Sequence, residues 1–72
     1  MIRDRAYILD ALIVRIMKSR KRILHSALCS EVMSLSRFSV SAQDIKQRVE
    51  GLIQRDFMSR DTEDVTVYHY IA

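Results

Sequence analysis

The residue of this sequence whose type and surroundings could do chemistry is Lys18, near the end of the stretch IVRIMKSRK (residues 13–21). Its side-chain amine is a nucleophile when it is not protonated. Four cations lie close to it in sequence and form a candidate recognition surface: Arg15, Arg20, Lys21 and Arg22. One interpretation is that the amine of Lys18 becomes acylated, and the alternative is that Lys18 is an ordinary solvated surface lysine. The residue types alone leave both interpretations open.

The composition indicates one small folded domain. The chain has 72 residues, of which 49% are hydrophobic, and it contains one glycine and no proline. Such a length holds one domain, and such an apolar content favours a packed core over disorder. The net charge is +3, but the C-terminal third is acidic. This uneven distribution suits docking against another protein at least as well as binding a phosphate backbone.

Several classes of function find little support in the sequence. Cys29 is the only cysteine, so an internal disulfide is excluded and no zinc-type spacing exists. We expect it to be a buried thiol in a reducing compartment. No apolar run approaches the roughly 20 residues of a membrane span. His25 and His69 are far apart and belong to no catalytic set, so we expect neither an enzyme nor a cofactor.

Three helices are predicted from the apolar periodicity. The first should run from Asp4 to Lys21 and the second from Ser26 to Ser36. The third should begin at Ser41, because Ser41 and Asp44 have the spacing of a capping box, and should end near Arg55. The residues expected to build the core are Leu12, Ile16, Leu28, Val32, Ile45, Val49, Leu52 and Ile53.

The pattern changes to that of β-strands after the third helix. Residues 57–60 can form a strand, and residues 65–71 are rich in β-branched and aromatic side chains. An acidic turn joins the two segments, which predicts a hairpin. Ile23–Leu24 or Phe38–Val40 could add a third short strand. A hairpin needs a packing partner to be stable. Three helices followed by a β-hairpin wing predict an α+β winged helix, a relative of the helix-turn-helix.

The direction of Lys18 follows from the 100° turn per residue of a helix. Ile8, Leu12 and Ile16 should face the core, with Leu9 beside them and with Ile13 and Met17 on the flank. Lys18 then points outward, at the end of a second apolar strip formed by Tyr7, Ala11 and Val14. An exposed apolar strip tends to mark contact with a partner, so we expect this one to be a docking surface.

The sequence resembles the cullin family, in its C-terminal winged-helix domain. The resemblance lies in IVRIMKSRK, in the preceding DRAYILDAL, in RVEGLIQRDFMSRD and in the ending VYHYIA, and it covers nearly all 72 residues. Spacing from Leu28 through Phe38 to the tail is most similar to the cullin that uses a DNA-damage-binding adaptor. The expected arrangement is then one domain over residues 1–72, a fragment of a larger scaffold, with Ala72 as the natural C-terminus and Met1 as an expression start.

Membership of this family implies that Lys18 accepts a ubiquitin-like modifier through an isopeptide bond (neddylation). The domain would be a regulatory substrate rather than a catalyst, within a ubiquitin ligase complex that acts in protein catabolism. Implied partners are the RING subunit, a conjugating enzyme, the modifier, a deneddylating protease complex and the remainder of the cullin. A location in cytoplasm and nucleus is implied as well.

The alternative is a winged helix that binds DNA, with its third helix in the major groove. The outward residues of that helix would be Lys46, Gln47, Arg48, Glu50, Gln54 and Arg55. Few cations mixed with Glu50, beside an acidic wing, make a poor surface for phosphates. We therefore expect nucleic acid to be no partner of this domain.

Overall fold

A computed structural model describes the backbone of residues 2–71 and the side chains of residues 5–71. The expectations for Met1 and Ala72 lie outside the described residues. The helices are α1 (Ile2–Arg20), α2 (His25–Leu35) and α3 (Ala42–Gln54). The strands are β1 (Arg22–Leu24), β2 (Met58–Arg60) and β3 (Val67–Tyr70).

The three strands form one antiparallel sheet in the order β1-β3-β2. β2 and β3 are the predicted wing hairpin, with Ser59 opposite His69. β1 is the predicted third strand and pairs on the other side of β3, with Ile23 opposite Tyr68. The wing is therefore attached to the segment between α1 and α2, and the winged-helix prediction is confirmed.

The start of α3 is fixed by the predicted capping box. The backbone N–H of Asp44 donates to Ser41 Oγ at 3.1 Å, and the backbone N–H of Ser41 donates to Asp44 Oδ2 at 3.2 Å. Two N–H groups that the helix leaves without partners are thereby satisfied, and the carboxylate lies at the positive end of the helix dipole.

The end of α3 is a Schellman motif built without glycine. The N–H of Asp56 donates to the carbonyl of Ile53, and the N–H of Phe57 donates to that of Leu52. Asp56 adopts the left-handed conformation that this motif requires, with φ 63°. Its carboxylate also lies at the negative end of the helix dipole, which is unfavourable.

Asp56→Gly should therefore stabilise the domain. Glycine adopts a positive φ without steric cost, and the substitution removes an unfavourable charge, so we expect a gain of about 1 kcal/mol in the free energy of unfolding. Urea unfolding measures the gain. Asp56→Val is the opposing variant and should destabilise the domain; a gain for valine would contradict the left-handed cap.

The end of α1 differs from its predicted boundary by one residue. The helix ends at Arg20, because Lys21 adopts a left-handed conformation with φ 68°. The N–H of Lys21 still donates to the carbonyl of Met17 at 2.7 Å, and its carbonyl accepts the N–H of Tyr70 at 2.8 Å. The chain thus passes from α1 into the sheet through this one residue.

The core lies between the three helices and the sheet. Six of the eight residues predicted for it are buried: Ile16, Leu28, Val32, Ile45, Val49 and Leu52. Leu12 and Ile53 are only partly buried and pack against the core at its edge. Cys29 is buried and free, as predicted, and burial raises the pKa of its thiol. No helix within residues 2–71 has the length and apolar content needed to cross a membrane.

The prediction for α1 centred the buried face of the helix on the wrong residues. Ile8 was placed toward the core but is 47% exposed, whereas Ile13, placed on the flank, is fully buried, and Met17 is buried too. The other two helices and the strands β1 and β3 all pack against α1, and the periodicity of one helix does not show how these neighbours are placed around it. Leu35 continues the helical spacing of Leu28 and Val32 on α2, but it is exposed.

Candidate functional site

Lys18 is exposed on the last turn of α1, as the helical spacing predicts. It lines an open groove together with Tyr7, Ala11 and Val14, the three residues predicted to form the strip. Tyr7 is 75% exposed, and Ala11 is exposed as well. Val14 differs from the expectation of a fully free strip, because it is half-buried and packs partly against the core.

The second wall of this groove comes from the end of α3, and sequence reasoning missed it. Leu52, Arg55 and Phe57 line the groove opposite α1. Phe57 is 44% exposed, and the Arg55 guanidinium lies 5.4 Å from the centroid of its ring. The Schellman motif at the end of α3 places Phe57 in this wall. In the sequence, a glycine usually marks such a motif, but here Asp56 occupies that position. We call this feature the Lys18 groove, lined by Tyr7, Asp10, Ala11, Val14, Arg15, Lys18, Leu52, Arg55 and Phe57.

Asp10 joins α1 to α3 beneath the groove. Its carboxylate accepts from Nε and from a terminal nitrogen of Arg48, both at 2.8 Å, and from Arg55 at 3.1 Å. Only 16% of the Asp10 side chain is exposed. The hydrogen bond to Asp10 raises the pKa of Arg48 above its usual value. A bidentate contact of this kind fixes the angle between the two helices and hence the width of the groove.

The predicted recognition surface around Lys18 is not a single cluster. Arg15 lines the Lys18 groove, but Arg20 forms an ion pair with Glu31 of α2 at 2.7 Å. The Lys21 ammonium lies over the ring of Tyr70, and Arg22 is exposed on β1. Helical periodicity could not separate these four cations, because two of them follow the end of the helix and take their direction from the sheet.

Comparison with known proteins identifies the family. Residues 4–64 match the family described as "Cullin protein neddylation domain". Cullin-4 of Caenorhabditis elegans is 49% identical over 69 residues, which are 96% of this chain and 8% of that protein. Cullin-4A of Homo sapiens is likewise 49% identical, over 96% of this chain and 9% of that protein. The chain belongs to the cullin neddylation domain family. These relatives agree with the resemblance to the cullin that uses a DNA-damage-binding adaptor.

A solved structure has the same fold as this cullin neddylation domain. It is described as "A Dual E3 Mechanism for Rub1 Ligation to Cdc53: Dcn1(P)-Cdc53(WHB)", and its chain is 32% identical with a TM-score of 0.90. The match covers 96% of this chain and 81% of that chain. The chain spans less than a tenth of the length of the two curated relatives named above.

Binding to DNA is not supported for this cullin neddylation domain. Two of the α3 cations that would face phosphates, Arg48 and Arg55, are both bound to Asp10. Glu50 of the same helix is paired with Arg60 of the wing, and the hydrogen bond from Arg60 lowers the pKa of Glu50. Among the described residues, no group of three or more His, Cys, Asp or Glu is placed to hold a metal ion.

Proposed function

We propose that Lys18 of this domain accepts a ubiquitin-like modifier through an isopeptide bond. The Lys18 amine attacks the thioester carbonyl that links the modifier to a cysteine of the conjugating enzyme. A carbon–nitrogen bond forms, the carbon–sulfur bond breaks, and the enzyme's thiol is released with the proton of the amine. The domain itself supplies no catalytic group, so it is a substrate of the reaction and not an enzyme.

The observation that carries this proposal is the position of Lys18. Its side chain is exposed at the end of a rigid helix and lies at the rim of a groove with apolar walls. A partner seated in that groove would hold a thioester at a fixed distance from the amine, and such positioning accounts for a large part of the rate of group transfer. Membership of a family described by neddylation points to the same reaction.

The partners follow from this chemistry and from the family. We assign the domain to a cullin scaffold, with the RING subunit and the conjugating enzyme approaching Lys18. Modification would free the domain and the RING subunit from their resting contacts with the remainder of the cullin, so that the ligase transfers ubiquitin faster. A deneddylating protease complex would reverse the step. A location in cytoplasm and nucleus is part of this proposal.

Reconstituted conjugation tests the proposal. The chain is incubated with the activating enzyme, the conjugating enzyme, the RING subunit and the modifier, and the product is mapped by tandem mass spectrometry. We expect one modifier per chain, attached at Lys18. A product attached only at Lys21 or Lys46, or no product under conditions that modify a full-length cullin, would overturn the proposal.

Docking in the Lys18 groove can be tested separately from the acceptor itself. Ala11→Asp puts a charge on the exposed floor of the groove, where an apolar partner surface would have to desolvate it. We expect a roughly tenfold slower modification of Lys18, with less than about 0.5 kcal/mol change in the free energy of unfolding because Ala11 is exposed. Ser19→Asp is the matched control, since this exposed residue of the same helix lies outside the groove. An equal effect of both substitutions on the rate would exclude the groove as the docking surface.

A further inference from the structure

The sequence gives no obvious reason why only one of two neighbouring lysines should react. Lys21 follows Lys18 by three residues. On a helix such neighbours are about 5–6 Å apart, which is within the reach of two long, flexible side chains. If α1 continued through Lys21, both amines could approach one thioester. In the structure, two features separate the Lys21 amine from the Lys18 amine.

The backbone conformation of Lys21 is the first of these features. Lys21 leaves the helix in the left-handed conformation, with φ 68°, and its carbonyl accepts the N–H of Tyr70 at 2.8 Å. Tyr70 is itself held in the sheet opposite Met58. The Lys21 side chain therefore starts from a backbone tied to β3, whereas Lys18 remains on the helix beside the groove.

The Tyr70 ring is the second feature. The Lys21 ammonium lies 4.9 Å from the ring centroid, within the range of a cation–π interaction. Tyr70 is half-buried and packs against the core, so the ring is a fixed support. To attack a thioester beside Lys18, the Lys21 amine must leave this ring and lose the interaction.

We propose that Tyr70 is a specificity-determining residue that withholds Lys21 from modification, so that Lys18 is the acceptor. This inference rests on the proposed function, because it assigns the choice between two amines in that reaction. Tyr70 acts through Lys21 and touches no reacting atom, so it is a positioning residue. The third lysine, Lys46, is exposed on α3 outside the Lys18 groove and serves as an internal reference.

Chemical labelling tests the contact without any conjugation enzyme. The folded chain is treated with a limiting amount of N-hydroxysuccinimidyl acetate, and the ratio of label on Lys21 to label on Lys46 is measured by tandem mass spectrometry. An exposed cation–π interaction corresponds to about a twofold to fivefold difference in availability, so Tyr70→Ile should raise the ratio by that factor. Isoleucine keeps the strand propensity and the apolar packing but removes the ring.

Tyr70→Phe is the matched control, because it keeps the ring and should leave the ratio within twofold of wild type. An unchanged ratio in Tyr70→Ile, or an equal rise in Tyr70→Phe, would overturn the inference. If Tyr70→Ile does not fold, the proton chemical shifts of the wild-type chain test the same contact. The ε-methylene protons of Lys21 should resonate upfield of those of Lys18 and Lys46, because they lie over an aromatic face; equal shifts would also overturn it.

The enzymatic version separates this inference from the proposed function. In reconstituted conjugation, Lys18→Arg should leave only a trace of modification at Lys21, and adding Tyr70→Ile should raise that trace by about twofold to fivefold. If Lys18→Arg alone is modified at the full rate, the proposed function fails, while the labelling ratio still decides the role of Tyr70. If the trace does not rise in the double variant, the role of Tyr70 fails and the assignment of Lys18 stands.

Discussion

Lys18→Arg is expected to abolish attachment of the modifier while leaving the fold unchanged. Arginine keeps the positive charge and the helix propensity, but its guanidinium stays protonated and cannot be acylated under these conditions. The side chain at position 18 is exposed and belongs to no core contact, so the free energy of unfolding should change by less than about 0.5 kcal/mol. The measurement is the rate of conjugation in the reconstituted reaction, with unfolding in urea as the check on the fold.

Lys21→Arg is the matched control for this prediction. It makes the same chemical change three residues away, where the side chain follows the end of α1 and lies over Tyr70. Misplacement of a nucleophile by about 1 Å can cost on the order of 100-fold in rate, so Lys21 should be at best a weak acceptor. We expect Lys21→Arg only to slow modification of Lys18. Modification of Lys18→Arg at the full rate and at a single site would refute the assignment.

The local elements of this domain could be predicted because short-range chemistry determines them. The capping box of Ser41 and Asp44 fixes the start of α3, and the alternating β-branched and aromatic residues near the C-terminus fix the wing. The family could be read from IVRIMKSRK and VYHYIA, and the match to the family supports that reading.

What could not be predicted depends on contacts between distant parts of the chain. The buried face of α1 was misplaced because the periodicity of one helix does not show which side the sheet will cover. The wall of the Lys18 groove formed by Phe57 was missed because it depends on how α3 ends. The basic residues after Met17 looked like one cluster, yet Arg20 pairs with Glu31 and Lys21 contacts Tyr70. Each of these partners is distant in sequence from the residue it contacts.

The rotated core face of α1 leads to the second large effect, a contrast between two isoleucines on one helix. Ile13 has no exposed surface and belongs to the core cluster that lies between the helices and the sheet. Ile13→Ala removes three buried carbon atoms and leaves a cavity that a tightly packed core closes only in part. The expected loss is roughly 2–5 kcal/mol, which is a large share of the total stability of so small a domain.

Ile8→Ala is the matched control, since it makes the same chemical change one and a half turns earlier. Ile8 is 47% exposed at the rim of a separate groove between α1 and α2, so part of its surface is in water already. We expect a loss below about 1 kcal/mol, because burial of the remaining apolar surface contributes only about 25 cal/mol per Å². Urea unfolding of both variants, analysed with a common slope against denaturant, gives the two values. Equal losses, or a larger loss at Ile8, would mean that the face first predicted from the periodicity of α1 is the buried one.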